Sequence, residues 1–383
     1  MLVASLLLSV LGMYIVHDWA TRCVPWLAAK RTAFGVVLAG TCFLPIPLAW
    51  FALHRHSWVA GQVQGGLSVL VVTVAFAAVP LGLFRLATWA YAQSRPEEPL
   101  PATPGAMGRR QVVEAAAGAA LFASTGSMIG WGIVRGRHAF EISELPVRIP
   151  GLPRALDGYT NAQVSDIHTG LFVGARELDE GLALVRRMRP DLVAVTGDIV
   201  DFDPELAGMT GRRLVDVAGP DGVVAVLGNH DYYADGPRVA RLLQASGIDT
   251  LVNRGRVIRP RDGGGFALLG VDDRGSPRRG GAGPRLDLAL AMVPLDRPRI
   301  LLSHQPPTVD QWAGQVALQL SGHTHGGQIN PGSRLLNPFF EYIAGAYSVR
   351  GTTLYVNRGF GTVGPPSRVG APPEVTRIVL VAA

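Results

Sequence analysis

The chain contains few charged residues for its length. Charged side chains make up 17% of the 383 positions, and the first 107 positions hold only nine of them. Hydrophobic residues make up 48% and the mean hydropathy is +0.25. This composition is too apolar for an ordinary soluble enzyme. It therefore indicates that part of the chain lies in a membrane.

Cysteine and lysine are also scarce. Cys23 and Cys42 both lie in the apolar N-terminal part, so the rest of the chain offers no thiol chemistry and needs no disulfide bond. The net charge of +6 comes almost wholly from arginine, because Lys30 is the only lysine. The sequence shows no basic helix and no interleaving of basic with aromatic residues. We therefore expect no nucleic-acid partner.

Long apolar runs occupy the N-terminal third of the chain. Four of them stand out, at positions 2–16, 34–53, 67–83 and 115–134. A membrane-spanning helix needs about 20 mainly apolar residues. The runs therefore predict a transmembrane region of about four helices over residues 1–134. The first run is short, and whether it spans the membrane is left open. A stretch rich in Pro, Glu and Ala predicts a flexible linker within residues 92–114.

Basic residues in the short loops predict the orientation of these spans. The loops after the first and third runs carry most of them, namely Arg22, Lys30, Arg31, Arg95, Arg109 and Arg110. We therefore expect both loops, and with them the linker, in the cytoplasm. The Arg109-Arg110 pair is either a twin-arginine export signal or an ordinary pair of cytoplasmic arginines. Both interpretations predict a multi-pass protein of the cell membrane whose C-terminal domain lies outside the cytoplasm.

From about position 136, short apolar runs alternate with helical patterns. The strand-like runs are 162–165, 192–196, 223–227, 266–271, 300–303, 316–320, 354–357 and 378–381. Apolar residues at helical spacing occur at 177–188, 237–245 and 286–292. This alternation predicts an α/β domain over residues 135–383, with buried and largely parallel central strands.

Five of the strand-like runs end directly in polar motifs. These motifs are Asp166-Ile167-His168, Gly197-Asp198, Gly228-Asn229-His230-Asp231, His304 and Gly322-His323-Thr324-His325. Ligands of open α/β sheets bind at the carboxyl ends of the strands, so we expect the motifs to converge on one small volume. Asp166 and His168 are two positions apart and would point the same way in an extended chain. Carboxylate, amide and imidazole groups without thiolate suit Mn, Fe or Zn.

In this order the motifs resemble the calcineurin-like metallophosphoesterase superfamily, and the flanking phrases are similar to its bacterial YkuE and YaeI branch. The family pattern is Asp-x-His, Gly-Asp-x-x-Asp, Gly-Asn-His-Asp/Glu, a lone His and Gly-His-x-His. This chain matches every element within residues 140–382. The resemblance implies a sandwich of central β-sheets flanked by helices, preceded here by an all-α transmembrane region. It also implies a hydrolase of phosphomonoester, phosphodiester or pyrophosphate bonds.

The resemblance implies seven ligands for two divalent metal ions. The first metal would be held by Asp166, His168 and His325. The second would be held by Asn229, His304 and His323. Asp198 would bridge the two ions, and a hydroxide shared by them would attack phosphorus in line.

Three further residues receive supporting roles from the same resemblance. His230 would stabilise or protonate the leaving oxygen, which is a general-acid role natural to imidazole. Asp231 would orient His230. We interpret Asp201 as a residue that holds the metal ligands in place without itself binding metal.

The membrane region makes a phosphorylated envelope molecule or a lipid-linked phosphate the expected substrate, with no obligate protein partner. UDP-2,3-diacylglucosamine hydrolysis, often associated with this branch, is an alternative, although that substrate is cytoplasmic and conflicts with the predicted topology. A membrane sensor or transporter with a regulatory metal domain is a second alternative, and a metal-binding scaffold without turnover is a third. The arginine-rich stretch 274–285 either gathers an anionic substrate or forms a solvated loop.

Overall fold

The structure is a computed structural model that describes residues 2–55, 57–94, 108–258, 264–333 and 336–383. The chain forms two compact units. The first comprises Met1–Gly132 with Gly364–Pro366, and the second comprises Ile133–Val363 with Ser367–Ala383. Most of the predicted linker, at positions 95–107, lies outside the described residues.

The described part of the chain up to Val134 consists of helices. They are α1 (Leu2–Cys23), α2 (Pro25–Ala29), α3 (Arg31–Phe43), α4 (Pro45–Arg55), α5 (Trp58–Gln93) and α6 (Arg109–Val134). Three helical stretches are long and apolar enough to cross a membrane, namely Arg31–Ala52, Trp58–Tyr91 and Gln111–His138. They coincide with the second, third and fourth predicted runs.

A buried ion pair connects two helices of the first unit. Asp18 of α1 is 6% exposed and accepts hydrogen bonds from Arg85 of α5 and from Arg22. A carboxylate removed from water needs such partners, because an unpaired buried charge costs several kcal/mol. Asp18 and Arg85 lie just beyond the first and third apolar runs, and the sequence analysis did not predict that they would pair.

The described residues of the second unit form twelve strands. They are β1 (Glu141–Ile149), β2 (Thr160–Val164), β3 (Leu192–Thr196), β4 (Val223–Val226), β5 (Asp249–Thr250), β6 (Arg254–Ile258), β7 (Phe266–Gly270), β8 (Arg299–Leu302), β9 (Leu318–Ser321), β10 (Gly345–Val349), β11 (Thr352–Val356) and β12 (Glu374–Ala382). They form two six-stranded sheets, in the orders β1-β12-β2-β3-β4-β5 and β10-β11-β9-β8-β7-β6.

Most neighbouring strands in both sheets are parallel. Antiparallel pairing occurs only between β12 and β2, β6 and β7, and β10 and β11, among the strands described. The helices of this unit are α7 (Ala175–Met188), α8 (Leu206–Val215), α9 (Asn229–Ala234), α10 (Gly236–Ala245), α11 (Leu286–Leu290) and α12 (Val309–Trp312). The α/β prediction with largely parallel central strands is therefore confirmed.

Alternation along the central strands separates two apolar cores. In β3, Val193 and Val195 pack with the helices, whereas Leu192 and Ala194 pack with residues of the second sheet such as Leu318. Successive side chains of a strand point to opposite faces, so a run of apolar residues fills both cores. The result is a sandwich of two sheets with helices outside it.

Helix α7 shows how the sequence fixes one of these covering layers. Leu178, Leu182 and Val185 recur at helical spacing and are all buried against the first sheet. Glu177 caps the start of the helix by accepting the Gly174 backbone N–H at 3.1 Å. The helix ends where Arg189 adopts a left-handed conformation, directly before a proline.

Candidate metal centre

Five strand ends bring the sequence motifs together. The motifs follow β2, β3 and β4 of the first sheet and β8 and β9 of the second, each at the carboxyl end. The side chains that these ends deliver are Asp166, His168, Asp198, Asn229, His230, Asp231, His304, His323 and His325. Parallel strands present their carboxyl ends at one edge, which is why residues up to 159 positions apart in sequence meet there.

The backbone at these positions is unusual. Five motif residues have left-handed φ values between 52° and 71°, namely Asp166, His168, Asp198, His323 and His325. Asp and His tolerate this region better than most residues. The sequence analysis assumed an extended chain at Asp166 and His168. The left-handed φ values show that the chain is not extended there. Both side chains nevertheless reach the same cluster.

One group of donor atoms is formed by Asp166, His168 and His325. The Nε2 atoms of the two histidines lie 3.1 Å apart, and His325 Nε2 lies 3.5 Å from Asp166 Oδ1. The Asp166 carboxylate also accepts the Ser165 hydroxyl at 2.6 Å and the His323 backbone N–H at 2.9 Å. All three residues are buried, and their ligand atoms lie within 4.8 Å of one another, so they could hold a metal ion.

A second group surrounds His304. Its Nε2 atom lies 3.2 Å from Asp198 Oδ2, 3.2 Å from Asn229 Oδ1 and 3.1 Å from His323 Nδ1. The same Asp198 oxygen is 3.7 Å from His168 Nε2. Asp198 thus lies between the two groups and contacts a member of each.

The far nitrogens of the histidine rings are held by other groups. His168 Nδ1 lies 2.8 Å from Asp201 Oδ1, and His304 Nδ1 donates to the Thr196 carbonyl at 2.8 Å. Such partners fix the rotation of a ligating imidazole and determine which nitrogen carries a proton.

His325 differs, because an arginine faces its far nitrogen. The Arg368 guanidinium lies 3.1 Å from His325 Nδ1 and also donates to the carbonyls of Gly359, Gly361 and Ala371. Arg368 is 1% exposed, and this burial lowers its pKa to about 9. The sequence analysis missed this residue, because a lone arginine in a loop of glycines and prolines carries no pattern that marks it as buried.

The charges in the cluster shift each other's protonation. Burial alone would lower the pKa of His304, but the Asp198 carboxylate outweighs it and raises that pKa well above its usual value. Burial would raise the pKa of Asp198, yet the His304 and His230 rings hold it well below its usual value. Burial would likewise lower the pKa of His168, but its hydrogen bond to Asp201 raises it. Asp198 and His304 therefore stabilise each other's charged forms, as do Asp201 and His168.

His230 stands at the edge of this cluster. Its backbone N–H donates to Asp198 Oδ1 at 2.7 Å, and its ring packs edge-on against His168 with centroids 4.6 Å apart. Its Nδ1 atom lies 3.3 Å from the carbonyl oxygen of Asp201. The ring is only partly buried, unlike that of His168.

Asp231 is buried beneath the motif and binds backbone. Its carboxylate accepts the N–H groups of Ile199, Val200 and Gly228 at 2.8–3.1 Å. Burial and the nearby Asp198 charge raise its pKa to about 7. Asp231 therefore ties the loop after β3 to the start of α9.

Residues 160–327 match the model of the calcineurin-like phosphoesterases. The chain is also 31% identical over 288 residues to the uncharacterized metallophosphoesterase YkuE of Bacillus subtilis, and the match covers 72% of this chain and 98% of YkuE. The chain belongs to the calcineurin-like metallophosphoesterase family, as its motifs predict. Members of this family normally bind divalent metals, and the clustered Asp and His side chains are the candidate ligands.

Another similar protein is named as a transmembrane protein. A transmembrane protein with metallophosphoesterase domain from Danio rerio is 34% identical over 262 residues, which cover 65% of this chain and 59% of that protein. The chain thus spans about three fifths of that relative. Among solved structures, the NAD nucleotidase of Haemophilus influenzae aligns at 15% identity and a TM-score of 0.38, covering 52% of this chain and 45% of that one.

Proposed function

We propose that this chain is a membrane-anchored hydrolase of phosphoric ester or pyrophosphate bonds that uses two divalent metal ions. The proposal rests on one observation, which is the convergence of five strand ends on adjoining groups of oxygen and nitrogen donors. The groups are Asp166 with His168 and His325, and Asp198 with His304 and His323. Oxygen and imidazole donors without thiolate fit Mn, Fe or Zn.

The contacts support a specific assignment of ligands. One ion would be held by Asp166, His168 and His325. The other would be held by Asn229, His304 and His323. Asp198 would be shared, because its Oδ2 atom lies 3.7 Å from His168 Nε2 and 3.2 Å from His304 Nε2. When bound, paired ions activate water and neutralise the phosphoryl group.

His230 is proposed to deliver the proton that the leaving oxygen needs. Its Nδ1 atom faces the Asp201 carbonyl, so Nε2 is the nitrogen that can exchange a proton with substrate. The backbone bond from His230 to Asp198 holds the ring beside the donor cluster. Asp231 keeps that backbone in place, as its three N–H contacts support.

We further propose that residues 1–134 anchor the protein in the cell membrane through several spans, and that the catalytic domain, residues 135–383, lies outside the cytoplasm. The three apolar helices and the distribution of arginine in the loops support this topology. An envelope or lipid-linked phosphate is the corresponding substrate. A reporter fused to the C-terminus tests the topology, since activity only of a cytoplasm-specific reporter would reverse it.

The experiment compares full-length wild-type protein in detergent with Asp198→Asn. We expect the wild type to bind about two Mn²⁺ per chain and to cleave bis(4-nitrophenyl) phosphate, and Asp198→Asn to lose most of both. Asp179→Asn, an exposed aspartate of α7 whose side chain is 62% exposed, is the matched control. Equal cleavage by Asp198→Asn would refute the site assignment. Metal binding without cleavage by the wild type would favour a scaffold over an enzyme.

A further inference from the structure

The loop that follows β7 carries an unusual distribution of charge. We call Asp272–Arg285 the arginine loop. Its arginines at positions 274, 278, 279 and 285 are all exposed, whereas Asp272 and Asp273 are each only 2% exposed. The surface of this loop is therefore wholly cationic, although its sequence contains both signs of charge.

The buried carboxylates of the arginine loop serve to fix its shape. Asp272 accepts the Ser276 hydroxyl at 2.7 Å and the Ala282 N–H at 3.1 Å. Asn253 binds the loop at both ends, because its Oδ1 atom accepts the N–H groups of Asp272 and Arg285 at 3.0 Å and 2.8 Å. Buried polar networks that are satisfied in this way hold one conformation. These hydrogen bonds hold the arginine loop in a defined conformation. The alternative of a solvated loop without fixed structure, which its composition also allowed, is not supported.

The arginine loop lies beside the proposed leaving-group side of the centre. The Arg279 guanidinium lies over the Tyr233 ring, 4.5 Å from its centroid. The Tyr233 ring in turn lies 5.0 Å from the His230 ring, centroid to centroid. Arg279 is therefore no farther from His230 than the sum of these two distances. Asp273 ties the loop to the His304 motif by accepting the Gln305 side chain at 2.9 Å.

Among the described residues, three of the four arginines are not neutralised by a neighbouring carboxylate, and Arg278 and Arg279 are two of these three. Arg285 pairs with Asp287 at 2.6 Å, but within the described parts of the chain neither Arg278 nor Arg279 forms an ion pair. Stacking on an aromatic face leaves the edge of a guanidinium available, and that edge matches phosphate oxygens two at a time. An oriented arginine without an anion next to a phosphoesterase centre is suited to bind part of the substrate.

The geometry points to a subsite in which Arg279, stacked on Tyr233 and flanked by Arg278, binds a second phosphate on the leaving-group side of the scissile phosphorus. This inference rests on the proposed function, because it takes His230 to act on the leaving oxygen. The subsite would select substrates whose leaving group is itself a phosphate or carries a phosphate. For a pyrophosphate diester, water oxygen bonds to one phosphorus and the bridging P–O bond breaks. The bond's electron pair stays on the second phosphate, and the two protons of water remain with the two monoester products or pass to solvent.

The test uses the full-length protein in detergent and two nitrophenyl substrates, with products quantified by liquid chromatography, because hydrolysis of the bridging bond releases 4-nitrophenyl phosphate and no nitrophenolate. These are bis(4-nitrophenyl) phosphate and the symmetric bis(4-nitrophenyl) diester of pyrophosphate, which differ by one phosphate. The measured quantity is the kcat/KM for the pyrophosphate ester divided by that for the phosphate ester. We expect Arg279→Ala to lower this ratio about tenfold or more, because a charge-assisted hydrogen bond is lost. Arg279→Lys should give an intermediate ratio, since it keeps the charge but not the planar fork.

Arg285→Ala is the matched control, because Arg285 is exposed on the same loop and already paired with Asp287. Its ratio should equal that of the wild type. If Arg279→Ala and Arg285→Ala give the same ratio, the subsite does not exist. Lipid provides a further check. If replacing phosphatidylcholine with phosphatidylglycerol changes kcat/KM equally for both substrates, and only in proteins that retain Arg279, the arginine binds a lipid headgroup. That result would also overturn the inference.

A binding measurement separates this inference from the proposed function. If the wild type cleaves neither substrate, the proposed function fails. The subsite is then judged by calorimetric binding of the symmetric bis(4-nitrophenyl) diester of methylenebisphosphonate, which has no bridging oxygen to cleave. Weaker binding to Arg279→Ala than to Arg285→Ala would support the subsite, and equal binding would refute it.

Discussion

Replacement of Gly322 by alanine should disrupt the centre through space alone. Its backbone lies outside the left-handed region, so the substitution introduces no backbone strain there. A Cβ atom at this position would lie 1.9 Å from Ser165 Oγ and 2.1 Å from Asp166 Oδ2. Since ordinary contacts begin near 3.4 Å, one side must move by roughly 1.5 Å. The Ser165 hydroxyl and the Asp166 carboxylate are the groups that the added Cβ would displace.

The expected cost has two parts. Overpacking of a buried site costs about 1–3 kcal/mol of folding free energy. Displacement of Asp166 also breaks its bonds from Ser165 and the His323 N–H, and disturbing such supports lowers metal affinity by about 10–100-fold. Gly322→Ala should therefore lose both thermal stability and Mn²⁺ affinity.

Thermal unfolding and Mn²⁺ calorimetry on the full-length protein measure these two losses. Gly208→Ala is the control, because its Cβ would make only a 3.6 Å contact with Arg212 inside α8. Alanine there should leave stability unchanged or raise it by up to about 1 kcal/mol, as expected from helix propensity. If Gly322→Ala matches Gly208→Ala in both assays, the close approach of the β9 loop to Asp166 does not position the centre.

Three further substitutions test separate parts of the domain. Asp201→Asn should weaken Mn²⁺ binding about 10–100-fold in calorimetry, because Asp201 orients His168 at 2.8 Å; unchanged affinity would contradict this. Leu178→Ala in α7 should cost about 2–5 kcal/mol in urea unfolding, since Leu178 is fully buried in the core, and a loss below 1 kcal/mol would be inconsistent with that burial. Burial favours a raised pKa for Glu374, but the Arg358 charge holds it below its ordinary 4.5, so this pair should stabilise the fold above about pH 4.5 and lose its effect as the pH falls through the lower folded-state pKa. Unfolding of Glu374→Gln and wild type as a function of pH should therefore converge in acid, and a constant difference would refute the coupling.

The central strands were readable from the sequence because burial on both faces leaves a continuous apolar run. Residues 192–196 and 300–303, for example, match β3 and β8 to within one residue. Strand β1 was missed, because it lies at a sheet edge, alternates between exposed and buried positions, and contains Pro146. Edge strands contact one neighbour only, and their sequences therefore carry a weaker signal.

Some residues of the candidate site could likewise be predicted from the sequence, and others could not. Residues such as His304 and Asp198 were identified because each follows an apolar run and belongs to a recognisable motif. Arg368 and Asp273 were not, since their importance comes from contacts with distant segments, at His325 and Gln305. A residue that acts through a fold-specific neighbour has no local sequence pattern.

The left-handed backbone conformation at five motif residues costs folding free energy at positions whose side chains form the centre. A non-glycine residue in this region is held against its own preference at a cost on the order of 1–2 kcal/mol, somewhat less for Asp and His. Glycine at His168, for example, would relieve that local preference while removing a donor atom. Substitutions chosen only to stabilise the scaffold would therefore tend to remove the side chains that form the centre.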